Sequence, residues 1–168
     1  MNTTVLVQRA RTSALWRWVL NRALHRFIPF NRPHRFTIEA LGDDFVQVRL
    51  PFRKNNLNHI RGLHACALAT LAEYTTGFML VQKLNARQYR LIMKKLEMEY
   101  HYQGKSDAVA RFGITHHWLQ EKVMEPLRHR EAVEVVCEVT LHDAQHNHLA
   151  TGKVCWHIKP WQAVKTKV

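Results

Sequence analysis

Glu73 is the residue whose surroundings most demand a chemical explanation. From Leu63 to Val81 it is the only formally charged side chain in a run of Ala, Leu, Thr and other mostly apolar residues. An ionised carboxylate in such company either becomes neutral or finds a donor. A carboxylate of this kind can take a proton from water or attack a carbonyl carbon itself, and the sequence leaves both routes open. Upstream, Asn58-His-Ile-Arg-Gly-Leu-His64-Ala65-Cys66 leads a polar turn into the apolar run. The first N–H groups of a helix starting there are unpaired donors at the positive end of its dipole. The N–H of Ala65 is therefore expected to hold an oxygen that gains charge during attack, with Asn58 orienting the water or the carboxylate. Thr76 and Gly77, three and four residues beyond Glu73, share its helical face and are expected to line the space beside it.

Spacing sets a further condition. His64 and Glu73 are nine residues apart, which corresponds to about 13.5 Å of rise and two and a half turns. On that count they lie on opposite faces of one helix, so a substrate needing both must draw them from two copies of the chain. Cys66 beside His64 resembles a nucleophile and its base, but positions two apart on a helix do not face each other. His64 fits better as a helix-start residue making a local hydrogen bond. His142, His146 and His148 share one hairpin and His116 and His117 are adjacent. No helix-borne histidine and carboxylate motif accompanies them, and we expect neither a metal nor a redox cofactor.

The loop and helix resemble the signature of hotdog-fold thioesterases, in particular the acyl-CoA thioesterases of the phenylacetic-acid-pathway type. There an Asn precedes a His-Gly-Gly helix start and an Asp or Glu follows along the helix. Asn58, His64 and Glu73 fall on this pattern, with His64-Ala65-Cys66 standing where the family has His-Gly-Gly. The wording Gly-Leu-His-Ala-x-Ala-Leu-Ala-x-Leu-Ala-Glu is most similar to a sparsely characterised bacterial branch of the superfamily. The resemblance implies an antiparallel sheet curled round one long helix, assembled as a homodimer or a dimer of dimers. It also implies hydrolysis of acyl-CoA or another acyl thioester at a composite site across the dimer interface, with coenzyme A present only as part of the substrate. Lys105 and Arg111, on the strand, turn and strand after the central helix, are the residues assigned to the coenzyme A phosphates. Two other classes stand beside this one: a non-catalytic acyl- or lipid-binding protein of the same fold, and a basic adaptor for a membrane surface or nucleic acid. Nucleic acid is the least favoured, because the chain carries no zinc finger, ribonucleoprotein motif or Walker loop.

The elements that must position these residues follow from periodicity. The 168 residues suit one domain of class α+β, and the net charge of +12 implies an anionic partner. Three cysteines without zinc-like spacing point to a reducing compartment, and we expect a cytoplasmic protein, peripheral to the inner face of a membrane if it meets one. Residues 1–34 hold six arginines and no acid and read as a basic helical extension ahead of a hotdog domain over 35–162. Within it, Ser13 is the expected N-cap of an amphipathic helix reaching Ile28, with Trp16, Val19 or Leu20, Ala23 and Phe27 along one stripe and Arg22 and Arg26 on another face. Such a helix either packs on the domain or lies on a lipid surface; its arginines exclude a spanning segment, and it lacks the features of a secretory signal. Alternation predicts strands at Phe36–Ala40, Val46–Leu50, Leu96–Tyr102, Ala108–Phe112, Val133–Leu141 and Ala150–Ile158, with a buried helix over His64–Leu84. Thr115 to Arg130 is open between a short helix and a loop.

Overall fold

The computed structural model describes residues 3–165; Met1 and Asn2 of the expected extension lie outside them. Two helices, α1 (Thr3–Thr12) and α2 (Ala14–Phe27), precede a hairpin of β1 (Thr37–Leu41) and β2 (Phe45–Leu50). The long helix α3 (Ala65–Lys83) follows, then β3 (Tyr89–Tyr100), β4 (Ala108–Gly113), β5 (Val133–Asp143) and β6 (His148–Pro160). The strands form one antiparallel sheet in the order β1-β2-β4-β5-β6-β3. The sheet wraps α3, which packs against β2, β3, β4, β5 and β6. This is the α+β arrangement that the resemblance implied.

Period-two patterning explains the wrapping. In β5, Val133, Val135, Cys137, Val139 and Leu141 are buried while Glu134, Val136, Glu138 and Thr140 face solvent. Burial pushes the Cys137 thiol up to about 12, which makes it an inert core residue. The helix is buried over most of its length, so the sheet must approach it closely. At Gly152 an added Cβ would lie 2.8 Å from the Ala72 Cβ, and at Gly77 it would lie 2.7 Å from the Trp156 ring. The indole Nε1–H of Trp156 donates to Thr76 Oγ1 at 3.1 Å, and that hydroxyl donates back to the carbonyls of Ala72 and Glu73 at 3.0 and 3.1 Å. The seam is thus satisfied as well as close-packed.

The N-terminal helices belong to the same core. Ser13 caps α2 as expected, its Oγ accepting the Trp16 N–H at 3.4 Å. Leu20 is buried, and Trp16, Val19 and Ala23 pack against the core, but Phe27 ends the helix 80% exposed. The preceding helix α1 has no counterpart in the sequence reading; ten residues are too few to be helical alone, and burial of Leu6 and Ala10 holds it. Asn21, outside the expected stripe, is buried. Its Nδ2 donates to the Ile38 carbonyl at 3.0 Å and its Oδ1 accepts the Ile38 N–H at 2.8 Å. His25 Nε2 adds a bond to the Phe36 carbonyl at 2.8 Å. The helix therefore satisfies the outward backbone groups of Ile38 on the free edge of β1. At the opposite edge, among the described residues, no strand pairs with the outer side of β3.

The segment between β4 and β5 is helical. Thr115 Oγ1 caps it by accepting the Trp118 N–H at 3.0 Å, and Leu119 and Val123 anchor it in the core.

Candidate active site

The loop before α3 is held by two asparagines. Asn58 Oδ1 accepts the N–H groups of Ile60 at 3.1 Å and Gly62 at 2.9 Å, so its acceptor closes the turn. Asn56, fully buried, donates from Nδ2 to the carbonyls of His34 at 2.9 Å and Pro51 at 2.8 Å. Its Oδ1 meets His34 Nδ1 at 2.9 Å, and its own carbonyl accepts the His64 N–H at 2.8 Å. The Asn56 side chain thus anchors the loop to His34 and Pro51 while its backbone carbonyl holds the His64 N–H, and the Asn58 Nδ2 reaches the Leu63 carbonyl at 3.5 Å just before the cap. His34 lies 22 residues from Asn56, which is why the asparagine cluster alone does not single out Asn56.

His64 is the N-cap of α3, as its sequence position suggested. Its Nδ1 accepts the Cys66 N–H at 3.0 Å, and its carbonyl accepts the N–H groups of Ala67 and Leu68. Between these, the N–H of Ala65 has no acceptor among the described residues. His64, Ala65 and Cys66 are all exposed, so an open donor sits at the positive end of the helix. Tyr100, at the end of β3, donates its hydroxyl to the Ala65 carbonyl at 2.9 Å and buttresses this turn. Burial and the neighbouring Cys66 raise its phenol pKa above the ordinary value. No local sequence signal pairs Tyr100 with Ala65, 35 residues apart.

Along the first half of α3, Ala65, Cys66, Ala69, Thr70 and Glu73 are the residues that reach solvent, fully or in part. At 100° per residue they fall within about 140° of arc, a single strip. The expected half-turn separation therefore does not hold for the oxyanion donor: His64 is a cap outside the helix, whereas Ala65 and Glu73 differ by about 80° in phase and 12 Å in rise. What separates them is distance along the axis. The strip ends where Trp156 lies across Thr76 and Gly77. Those two residues, expected beside an acyl group, are buried in the helix and sheet seam.

The Glu73 carboxylate makes no hydrogen bond or ion pair among the described residues, and burial holds it above the usual carboxylate range. Burial, and then the Glu73 charge, likewise push up the adjacent Tyr74 phenol. Lys105 is in the turn between β3 and β4, next to Gly104, whose carbonyl accepts the Leu63 N–H at 2.8 Å just before the helix cap, and beside a shallow cleft of about 550 Å³ lined also by Ser106, Gln145 and Asn147. Arg111 is on the outward face of β4, its guanidinium 3.8 Å from the centre of the Phe45 ring. The structure brings Ala65 and Glu73 onto one surface and sets Arg111 on the outward face of the sheet, away from the helix.

Residues 16–158 match a family described as a domain of unknown function, DUF4442. The chain belongs to the DUF4442 family. The match opens inside α2 and runs to β6. Solved structures show the same architecture as this DUF4442 protein. The Pseudomonas aeruginosa protein PA5026, of unknown function and described as a probable thioesterase, aligns with a TM-score of 0.76 at 24% identity, covering 84% of this chain and 94% of its own. The thioesterase HI1161 of Haemophilus influenzae aligns with a TM-score of 0.66 at 13% identity, covering 84% of this chain and 88% of its own. A mutant of the P. aeruginosa thioesterase PA1618 gives 0.68 at 14% identity, covering 84% and 92%. No curated protein matches the sequence. At these identities the likeness establishes the hotdog fold.

Proposed function

We propose that this DUF4442 protein hydrolyses an acyl thioester, with acyl-CoA as the substrate class, at a site assembled from two copies of the chain. The observation that carries this reading is the coexistence on one exposed strip of an open amide at Ala65 and an unpaired, half-buried carboxylate at Glu73. The thioester carbonyl oxygen accepts from the Ala65 N–H, which meets the negative charge as the carbon becomes tetrahedral. Glu73 of the second copy takes a proton from water as that water attacks, and returns it to the departing thiolate; alternatively it attacks directly and the mixed anhydride is then hydrolysed. Solved proteins of the same fold described as thioesterases support the reaction class.

The open edge of β3 supplies the means of assembly. A twofold axis normal to the sheet pairs two copies of β3 antiparallel and lays their α3 helices side by side, head to tail. Ala69 is midway along the strip; with the axis beside it, Ala65 of one copy faces Glu73 of the other. Ala65, Cys66, Ala69 and Thr70 are small enough for the helices to approach. Release of free thiol from short, long and aryl acyl-CoAs, measured alongside oligomeric state, tests the reading. Folded dimer that binds acyl-CoA but releases no thiol from any of them would leave acyl binding as the function.

A further inference from the structure

The largest bare apolar side chains at the N-terminal end of this molecule sit among arginines. Leu15, Trp18, Arg22 and Arg26 share the outward face of α2, and Phe27 and Phe30 project where the helix ends. The Phe30 ring lies 5.5 Å from that of His34, and His34 is bonded to Asn56 of the neighbouring loop. That loop carries exposed Arg53, Lys54, Ile60 and Arg61 within five residues of Asn56. The side chains of Arg26, Arg32, Arg35, Arg53, Lys54 and Arg61 make no hydrogen bond or ion pair among the described residues. Residues 1–38 and 45–72 contain no Asp or Glu, so neither segment supplies a carboxylate to balance the patch.

We propose that this surface docks the protein on an anionic lipid bilayer, with Phe27, Phe30, Ile60, Leu15 and Trp18 entering the interface and the arginines and Lys54 meeting the headgroups. Aliphatic and aromatic side chains mixed with guanidinium groups suit the boundary between headgroup and hydrocarbon. Leu15 and Ile60 have no role in stacking on bases. Two of the cations are kept at positive φ, Arg35 at 60° and Arg61 at 57°, where glycine would meet less steric resistance. No helix among the described residues is long and apolar enough to cross a membrane, so the contact is peripheral. Asn56 joins the patch to His64, the cap of α3, so the docked face borders the head of the candidate site. Docking itself does not depend on thioester hydrolysis.

The test is flotation of the full chain with phosphatidylcholine vesicles, with and without roughly a third phosphatidylglycerol. The protein floats with the anionic vesicles and stays behind with the neutral ones, and recovery falls as salt rises. The double variant Phe27→Ser with Phe30→Ser and the triple variant Arg26→Gln, Arg32→Gln and Arg35→Gln each lower partitioning by roughly tenfold or more, with unchanged thermal melts. If the phenylalanine pair alters the melt, Leu15→Ser with Ile60→Ser, both at exposed positions, takes its place. Equal recovery of wild type on neutral and anionic vesicles overturns the proposal, as does wild-type recovery of the serine variant. Displacement from anionic vesicles by single-stranded RNA or DNA, with loss of that nucleic-acid binding in the arginine variant, would reassign the patch and also overturn it.

Discussion

The N–H of Ala65 and the carboxylate of Glu73 stand at the two ends of one exposed strip of α3, and neither has a partner among the described residues of its own chain. About 12 Å of helix separates them, too far for one thioester carbonyl to reach both within a single copy.

This separation predicts complementation. Ala65→Pro removes the donor while keeping the helix, because the first helical position tolerates proline and His64 already has the extended conformation, ψ 136°, that a residue before proline requires. Ala65→Pro and Glu73→Gln should each lower kcat by about 100-fold or more. Mixed under subunit exchange, they should recover up to about a quarter of wild-type turnover per dimer, since half of the dimers are mixed and each mixed dimer holds one intact site. No recovery, with heterodimers seen by native mass spectrometry, would rule out the shared site.

Glu73 also fixes a pH dependence. Burial disfavours the charged form and holds its folded-state pKa above that of an exposed glutamate. The folded protein therefore holds that proton to higher pH than the unfolded chain, and stability falls as pH rises through the folded value. Glu73→Gln should melt higher than wild type at neutral pH, with the difference closing as pH falls through the raised folded value toward that of an exposed glutamate, about 4.3. Turnover should show the opposite trend, rising through the same raised pKa as the base ionises.

The helix and sheet seam should be intolerant of small changes. Gly77→Ala places a Cβ 2.7 Å from the Trp156 ring and should cost about 1–3 kcal/mol. Thr76→Val leaves the Trp156 indole N–H without its acceptor and should cost a similar ~1–3 kcal/mol. Urea unfolding of each variant measures both.

Asn21→Ala frees the Ile38 N–H and carbonyl at the edge of β1. We expect a loss of about 1–3 kcal/mol together with concentration-dependent association, read by light scattering against wild type.

The hairpin histidines should be dispensable. The rings of His142 and His148 stack with centroids 5.1 Å apart, and His148 Nε2 bonds Thr151 Oγ1 at 3.0 Å. Replacing His142, His146 and His148 with Gln should leave turnover and the neutral-pH melt close to wild type. Stoichiometric zinc in untagged wild-type protein that vanishes in this variant would show the expectation to be wrong.

What the chain discloses about itself depends on distance along it. The cap at His64 and the lone acid at Glu73 are local features, and both were legible. Alternation marks the strand from Leu96 but not its first residues: the bulge near Lys94 interrupts the register, and Arg90 to Met93 shows no clean period of two. Helical spacing puts Thr76 and Gly77 on the face of Glu73, yet Trp156, 80 residues beyond Thr76, covers them. The importance of Asn56 depends on His34, and that of Tyr100 on Ala65; in each case the decisive partner is distant in sequence.

The bond pair between Asn21 and Ile38 has a consequence for how large an assembly can become. A sheet with two bare margins can add copies at both and run on into a fibre. Here one margin is plugged by a side chain of its own chain, and the other is the twelve-residue β3. If two copies join through β3 as proposed, each has used the longer of its two margins among the described residues, and a third could pair only at the short β1 edge, where Asn21 already occupies the Ile38 groups. On the proposed pairing, growth by edges would stop at a pair, and a larger particle would be built from faces rather than from edges.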